Sequence, residues 1–90
     1  MNLAVSHTSR LREGVRYSME KAVMGLAAAL AVGLAGFGTA WAQSRIGSAG
    51  AGAIAEKPEV AVMIIVLEAL PETIILFGFV IAIQIISMAK

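Results

Sequence analysis

The chain has 90 residues, of which 59% are hydrophobic and 14% charged, and its formal net charge is +1. So short and apolar a chain can bury little surface against itself, so we expect burial against lipid or against copies of itself. The charge balance argues against a nucleic-acid partner, which requires a clustered basic face. Without cysteine and with His7 as the single histidine, the sequence predicts no disulfide, no metal centre and no cofactor.

Residues 1–20 form a polar N-terminal extension. Its basic residues are interspersed with Leu11, Val15 and Met19, which recur every four residues. That spacing is compatible with a short basic amphipathic helix. The alternatives are a disordered tail and a non-native start, with translation beginning at Met19 or Met24.

Residues 21–55 predict a first transmembrane helix rich in small residues. The stretch from Ala22 to Ser44 carries no charge, and its length suffices to cross a bilayer. Gly25, Gly36 and Gly47 are eleven residues apart, which is close to three helical turns. Such stripes allow helix backbones to approach closely, so we expect packing against several copies. The predicted packing glycines are Gly25, Gly33, Gly36, Gly38, Gly47, Gly50 and Gly52.

Residues 56–59 form the polar loop between two apolar segments. Pro58 suits the first turn of a following helix, where its missing N–H is harmless. Residues 60–89 are apolar and predict a second transmembrane helix. The predicted fold is therefore an all-α membrane protein, a two-helix antiparallel hairpin.

Two acidic residues, Glu68 and Glu72, interrupt the second apolar segment. A carboxylate at bilayer depth costs at least about 2.5 kcal/mol, so such residues usually serve ion or proton transport. Residues four apart share a helix face, and we expect the two carboxyls to titrate as a coupled pair. Pro71 lies between them and cannot bond the carbonyl of Leu67.

Two further polar groups belong to the predicted ion site. Gln43 and Glu72 are nearly equidistant from the loop, so we expect them at a similar depth, to within about a turn. A glutamine amide can donate to a carboxylate or accept from a carboxylic acid. Thr73 adds a hydroxyl beside Glu72. The predicted ion-binding residues are thus Glu72, Glu68, Gln43 and Thr73.

Two other functions compete with ion transport by this hairpin. Ala40-Trp41-Ala42 before Gln43 resembles a secretory cleavage site, which would release a secreted peptide. The second is a small homo-oligomeric pore of the holin or viroporin kind, with the glutamates lining its lumen.

Three features together resemble the c subunit, or proteolipid, of rotary ATP synthases and ATPases. They are the glycine-rich first helix, the polar turn containing Pro58 and the carboxylate midway along the second helix, and they cover Gly25 to Ala89. Ala69-Leu-Pro-Glu72-Thr is similar to the archaeal and vacuolar branch, whereas the single-hairpin length is similar to the bacterial form. This mixture resembles the N-type rotary ATPases of some bacteria.

The resemblance implies a homo-oligomeric ring, with glycine helices inside and carboxylate helices outside. It implies that Glu72 carries the ion, because Phe77 follows five residues later as an aromatic does in the family, and that Glu68 assists. It favours protons over Na⁺, because Ile74 and Phe77 stand where sodium-type relatives often carry hydroxyls. A Na⁺ site at Glu72 with Glu68 is the alternative.

The resemblance also implies partners and a location. The expected partners are a stator subunit bearing an arginine, the central stalk and the lipid bilayer, with no nucleic acid. The loop residues Glu56, Lys57, Pro58 and Glu59 would contact the stalk from the cytoplasmic side of the bacterial inner membrane. Lys and Arg counts alone favour a cytoplasmic N-terminus, but the loop must reach the stalk. The chain is expected to be a transport subunit and no enzyme by itself.

Overall fold

The computed structural model describes residues 2–90 as a long helical hairpin. Helix α1 spans Leu3–Glu56, a 3-10 turn spans Pro58–Val60, and helices α2 and α3 span Ala61–Ala69 and Glu72–Met88. The longest dimension is 81 Å, which is the length of a straight 54-residue helix at about 1.5 Å per residue. The returning arm (Pro58–Met88) packs back along α1, so the predicted all-helical hairpin is confirmed.

The N-terminal extension is part of α1. The Asn2 side chain caps the helix by accepting a hydrogen bond from the Ala4 N–H at 2.9 Å. The helix then continues through Lys21 without a break, so residues 3–20 are helical rather than a disordered tail. The position of Met1 lies outside the described residues. No structural discontinuity marks the predicted boundary between residues 20 and 21, which remains a prediction.

The extension projects beyond the end of the returning arm. A shallow groove is lined by Lys21 and Gly25 from α1 and by Ile86, Ala89 and Lys90 from the other end of the chain. The end of α3 is therefore level with Lys21–Gly25, and the preceding turns of α1 have no partner helix in the hairpin.

The polar loop forms the tip of the hairpin. Lys57 ends α1 with its N–H donating to the Ala53 carbonyl at 2.8 Å. Pro58 is the first residue of the 3-10 turn, the kind of position expected from its missing N–H. Glu56, Lys57, Pro58 and Glu59 are all exposed, as a contact surface for another subunit requires.

Small residues let the two arms of the hairpin approach closely. A Cβ on Gly78 would lie 2.6 Å from the Ala35 Cβ and 2.7 Å from the Ala31 carbonyl oxygen. A Cβ on Gly50 would overlap the Ile64 side chain. At Gly78 the overlap includes backbone, so no larger residue fits there without moving the arms apart, whereas at Gly50 the Ile64 side chain would have to shift.

The predicted packing glycines of α1 differ in what lies beside them. Gly36, Gly47 and Gly50 face the returning arm. At the other four predicted packing glycines, an added Cβ would meet no atom within 4 Å. They are Gly25, Gly33, Gly38 and Gly52. Three of the seven glycines therefore face the returning arm, and the other four have open space beside them.

A single hairpin has almost no interior. In residues 2–90 the buried side chains larger than glycine are Ala28, Ala82 and Thr39. Large apolar residues remain outside, with Phe37 68% and Phe77 69% exposed. Both α1 and the returning arm are long and apolar enough to cross a membrane. Lipid or further copies must cover this surface for the chain to be stable.

Candidate ion-binding site

The returning arm is interrupted at Leu70–Pro71, between α2 and α3. We call these two residues the helix break. Pro71 has no N–H to bond the Leu67 carbonyl, so the regular ladder fails there. The chain turns more tightly instead, with the Thr73 N–H donating to the Leu70 carbonyl at 3.2 Å and the Ile74 N–H to the Pro71 carbonyl at 3.1 Å. The predicted disturbance by Pro71 therefore takes the form of a break in the helix.

Two side chains of α1 donate hydrogen bonds to the backbone around the helix break. The Thr39 hydroxyl donates to the Pro71 carbonyl at 2.8 Å, and the Gln43 amide donates to the Glu68 carbonyl at 3.1 Å. The two donors are four residues apart and lie on the same face of α1. Backbone carbonyls at membrane depth need such partners because lipid offers none.

Glu68 points into the hairpin. Its two carboxyl oxygens lie 3.5 and 3.6 Å from the position that a Cβ on Gly47 would occupy. One of them, Oε2, is buried and has no hydrogen-bond partner within residues 2–90. The missing side chain at Gly47 thus makes room for this carboxyl group between the two arms.

Glu72 lies on the outside of the hairpin. It is the first residue of α3 and is exposed, and within residues 2–90 its side chain makes no hydrogen bond to α1. Thr73 is also exposed, and its hydroxyl donates to the Leu70 carbonyl at 2.9 Å. The hydroxyl thus bonds the helix break rather than Glu72.

The structure separates the residues that the sequence placed in one cluster. Glu68 and Gln43 lie at the interface between the arms, whereas Glu72 and Thr73 lie outside. Leu70 and Pro71 keep helical backbone angles, so the two glutamates stay on neighbouring parts of the arm's surface, with Glu68 toward α1 and Glu72 exposed. The coupled titration of the two carboxyls remains a prediction.

Gln43 lies opposite Glu68, about one turn nearer the loop than Glu72. The α1 residue beside Glu72 is Thr39, which the sequence reasoning missed. Near the loop Gly50 faces Ile64, whereas beyond the break Gly36 faces Ile75. The returning arm therefore covers this length with fewer residues than α1, and the longer rise of the 3-10 turn at the helix break, about 2.0 Å per residue against about 1.5 Å in an α-helix, accounts for only part of the difference.

Arg45 lies away from both glutamates. Its guanidinium group lies over the Trp41 ring, 5.1 Å from the ring centre, on the exposed side of α1. This cation–π contact suits an arginine that extends toward the membrane surface. It supplies no counter-ion to the carboxyls within the hairpin.

Comparison with known proteins places both arms in one family. A family model that describes the c subunit of ATP synthase matches residues 26–85. The match includes Thr39, Gln43, Glu68 and Glu72 and extends across Ala42. The two helices thus belong to one matched unit, which argues against the secreted-peptide interpretation. Residues 1–20 lie outside the match.

One similar protein with a curated description comes from an archaeon. The chain is 44% identical over 63 residues to the A-type ATP synthase subunit K of Methanocaldococcus jannaschii. The alignment covers 70% of this chain and 29% of the relative. The chain therefore spans less than a third of the length of that relative.

Proposed function

Because the chain belongs to the family of ATP synthase c subunits, we propose that it is the ion-carrying rotor subunit of a membrane rotary ATP synthase or ATPase. The family is one of membrane subunits that do not themselves catalyse ATP chemistry. The observation that carries the proposal is Glu72, an exposed carboxyl group in the middle of an apolar arm, beside the helix break.

Glu72 is the ion carrier because its carboxyl group is exposed on the outside of the hairpin. A carboxyl that exchanges ions with another subunit must be reachable from outside the hairpin, as Glu72 is and the enclosed Glu68 is not. An ionised carboxylate facing lipid is costly, whereas a carboxyl with its ion bound is much less so. Glu72 therefore travels past lipid with its ion bound and releases it at a positively charged group of the stator.

The open surfaces of the hairpin support assembly into a ring. The glycines Gly33, Gly38 and Gly52 have free space above them, and such positions permit close contact with neighbouring copies of α1. The returning arms then lie outside, where their large apolar side chains meet lipid. The exposed tip around Lys57 contacts the central stalk on the cytoplasmic side of the bacterial inner membrane.

The transported ion is the proton. A bound metal cation of the sodium kind needs several converging oxygen ligands. Within one hairpin, Gln43 donates to the Glu68 backbone, Thr73 donates to the Leu70 backbone, and Glu68 points away from Glu72. Few ligands therefore converge on Glu72, whereas a proton requires only the carboxyl group itself.

Carbodiimide labelling of the purified ring tests this assignment. The reagent modifies protonated carboxyls, and mass spectrometry of peptides identifies the modified residue. We expect modification at Glu72, its loss in Glu72→Gln and its persistence in Glu68→Gln, which is the matched control. At constant pH, added sodium should leave the labelling rate unchanged. Modification confined to Glu68 would contradict the role of Glu72, and strong protection by sodium would contradict the proton.

A further inference from the structure

Thr39 is the one buried polar residue in the part of the chain that the structure describes, with 5% of its surface exposed. Its hydroxyl donates to the Pro71 carbonyl at 2.8 Å, across 32 residues of sequence. A helical threonine commonly bonds a carbonyl of its own helix, as Thr8 does here with Ala4 at 2.8 Å. Thr39 instead connects α1 to the other arm at the helix break.

The carbonyl that accepts this bond belongs to the same peptide unit as the nitrogen of Glu72. A peptide unit is planar, so the orientation of the Pro71 carbonyl also sets the orientation of the Glu72 N–H and the position of its Cα. The Ile74 N–H bonds the same carbonyl at 3.1 Å, but that bond lies within the returning arm. Within residues 2–90, only the Thr39 bond joins this peptide to α1.

Gln43 holds the other side of the helix break through the Glu68 carbonyl at 3.1 Å. Between these two bonds lie Leu70 and Pro71, where the regular ladder of hydrogen bonds is interrupted. If α1 provides the stable inner wall of a ring, the depth and direction of Glu72 depend on these two attachments. The Thr39 attachment is the nearer of the two.

We propose that Thr39 is a positioning residue for Glu72. Its hydroxyl holds the Pro71–Glu72 peptide against α1 and so keeps the Glu72 carboxyl at one depth and direction on the outside of the hairpin. This proposal rests on the proposed role of Glu72 as the ion carrier. Positioning matters there because a misplacement of about 1 Å at a reacting group lowers rates by up to about a hundredfold.

Two variants remove the hydroxyl and a third keeps it. Thr39→Val replaces the hydroxyl by a methyl group and so keeps the shape of the side chain, whereas Thr39→Ala removes the hydroxyl without adding a methyl contact. Thr39→Ser keeps a hydroxyl donor. The control is Ser44→Ala, which deletes a hydroxyl on the same helix that bonds only the Trp41 carbonyl, at 2.8 Å. Each purified ring is assayed for thermal stability and for the rate of carbodiimide labelling of Glu72 across pH.

We expect Thr39→Val and Thr39→Ala to change the Glu72 labelling rate by about two- to tenfold, the effect of losing one hydrogen bond. The shape of the pH profile should change as well. Thr39→Ser and Ser44→Ala should match the wild type in both respects. Both Thr39→Val and Thr39→Ala are made so that, if one variant fails to assemble into a ring, the other still tests the positioning role.

Unchanged labelling rates and pH profiles in the deletion variants, with or without lower thermal stability, would overturn the positioning role. The Glu72→Gln variant separates this failure from that of the proposed function. If Glu72→Gln abolishes labelling while the Thr39 variants behave as wild type, only the positioning role is lost. If Glu72→Gln still transports ions, the proposed function itself fails.

Discussion

Replacing Gly78 by alanine is expected to weaken the hairpin close to the ion site. The added Cβ would lie 2.6 Å from the Ala35 Cβ and 2.7 Å from the Ala31 carbonyl oxygen. Ordinary carbon contacts lie at about 3.5–4.0 Å, so the arms must separate by about 1 Å. The Ala31 oxygen is backbone in the middle of α1, which leaves no flexible side chain to move aside.

The size of the effect follows from two opposing terms. Overpacking costs typically about 1–3 kcal/mol, whereas replacing glycine by alanine inside a helix contributes up to about 1 kcal/mol. Because the overlap is with backbone, we expect a net loss of about 1–2 kcal/mol in stability, using these ranges. The same separation would lengthen the bond between Thr39 and Pro71, so the labelling of Glu72 should change too.

The measured quantity is the temperature at which half of the purified rings dissociate, and size-exclusion chromatography after heating detects the dissociation. Gly14→Ala is the matched control, because a Cβ at Gly14 meets nothing within 4 Å and lies on the N-terminal extension. We expect the Gly78→Ala ring to dissociate at a lower temperature than wild type and the control ring to be at least as stable as wild type. Equal stability of the two variants would refute the close approach of α1 and α3 at this point.

Four further variants test three other parts of the chain. Gln43→Leu removes the donor to the Glu68 carbonyl and should cost about 0.5–1.5 kcal/mol of ring stability; thermal dissociation no lower than in wild type would show that the bond contributes nothing. Gly47→Ala should be tolerated, because its Cβ would lie 3.5 Å from the Glu68 carboxyl, whereas Gly47→Leu should prevent ring assembly, measured by chromatography. Deleting residues 2–20 should leave assembly intact, because they project beyond the returning arm and lie outside the family match; loss of rings on deletion would assign them a structural role.

The hairpin was predictable because its determinants are local. Two long apolar segments, a polar loop and Pro58 at the start of a turn specify two antiparallel helices, and the structure confirms them. The family was predictable from the same features together with Glu72. The glycine stripe was predicted only in part, since periodicity alone does not tell which glycines face the partner arm and which remain open.

The arrangement of the site was not predictable from spacing alone. Spacing does not tell which of Glu68 and Glu72 lies between the arms, and the structure encloses the first and exposes the second. Nor does spacing tell which group Gln43 bonds, which is the Glu68 carbonyl. Thr39 was missed because an isolated threonine in an apolar helix gives no local signal, and its role depends on a bond to the other arm.

The role of Glu72 is tested most directly by proton transport in the complete rotary enzyme, reconstituted in lipid vesicles with variants of the two glutamates. We expect Glu72→Gln to abolish ATP-driven proton uptake, because the proposed function assigns the ion to this outward carboxyl. Glu68→Gln should retain proton uptake at an altered rate or pH dependence, because that carboxyl is enclosed between the arms. Full uptake in Glu72→Gln, or its complete loss in Glu68→Gln alone with intact rings, would contradict the assignment of Glu72 as the ion carrier.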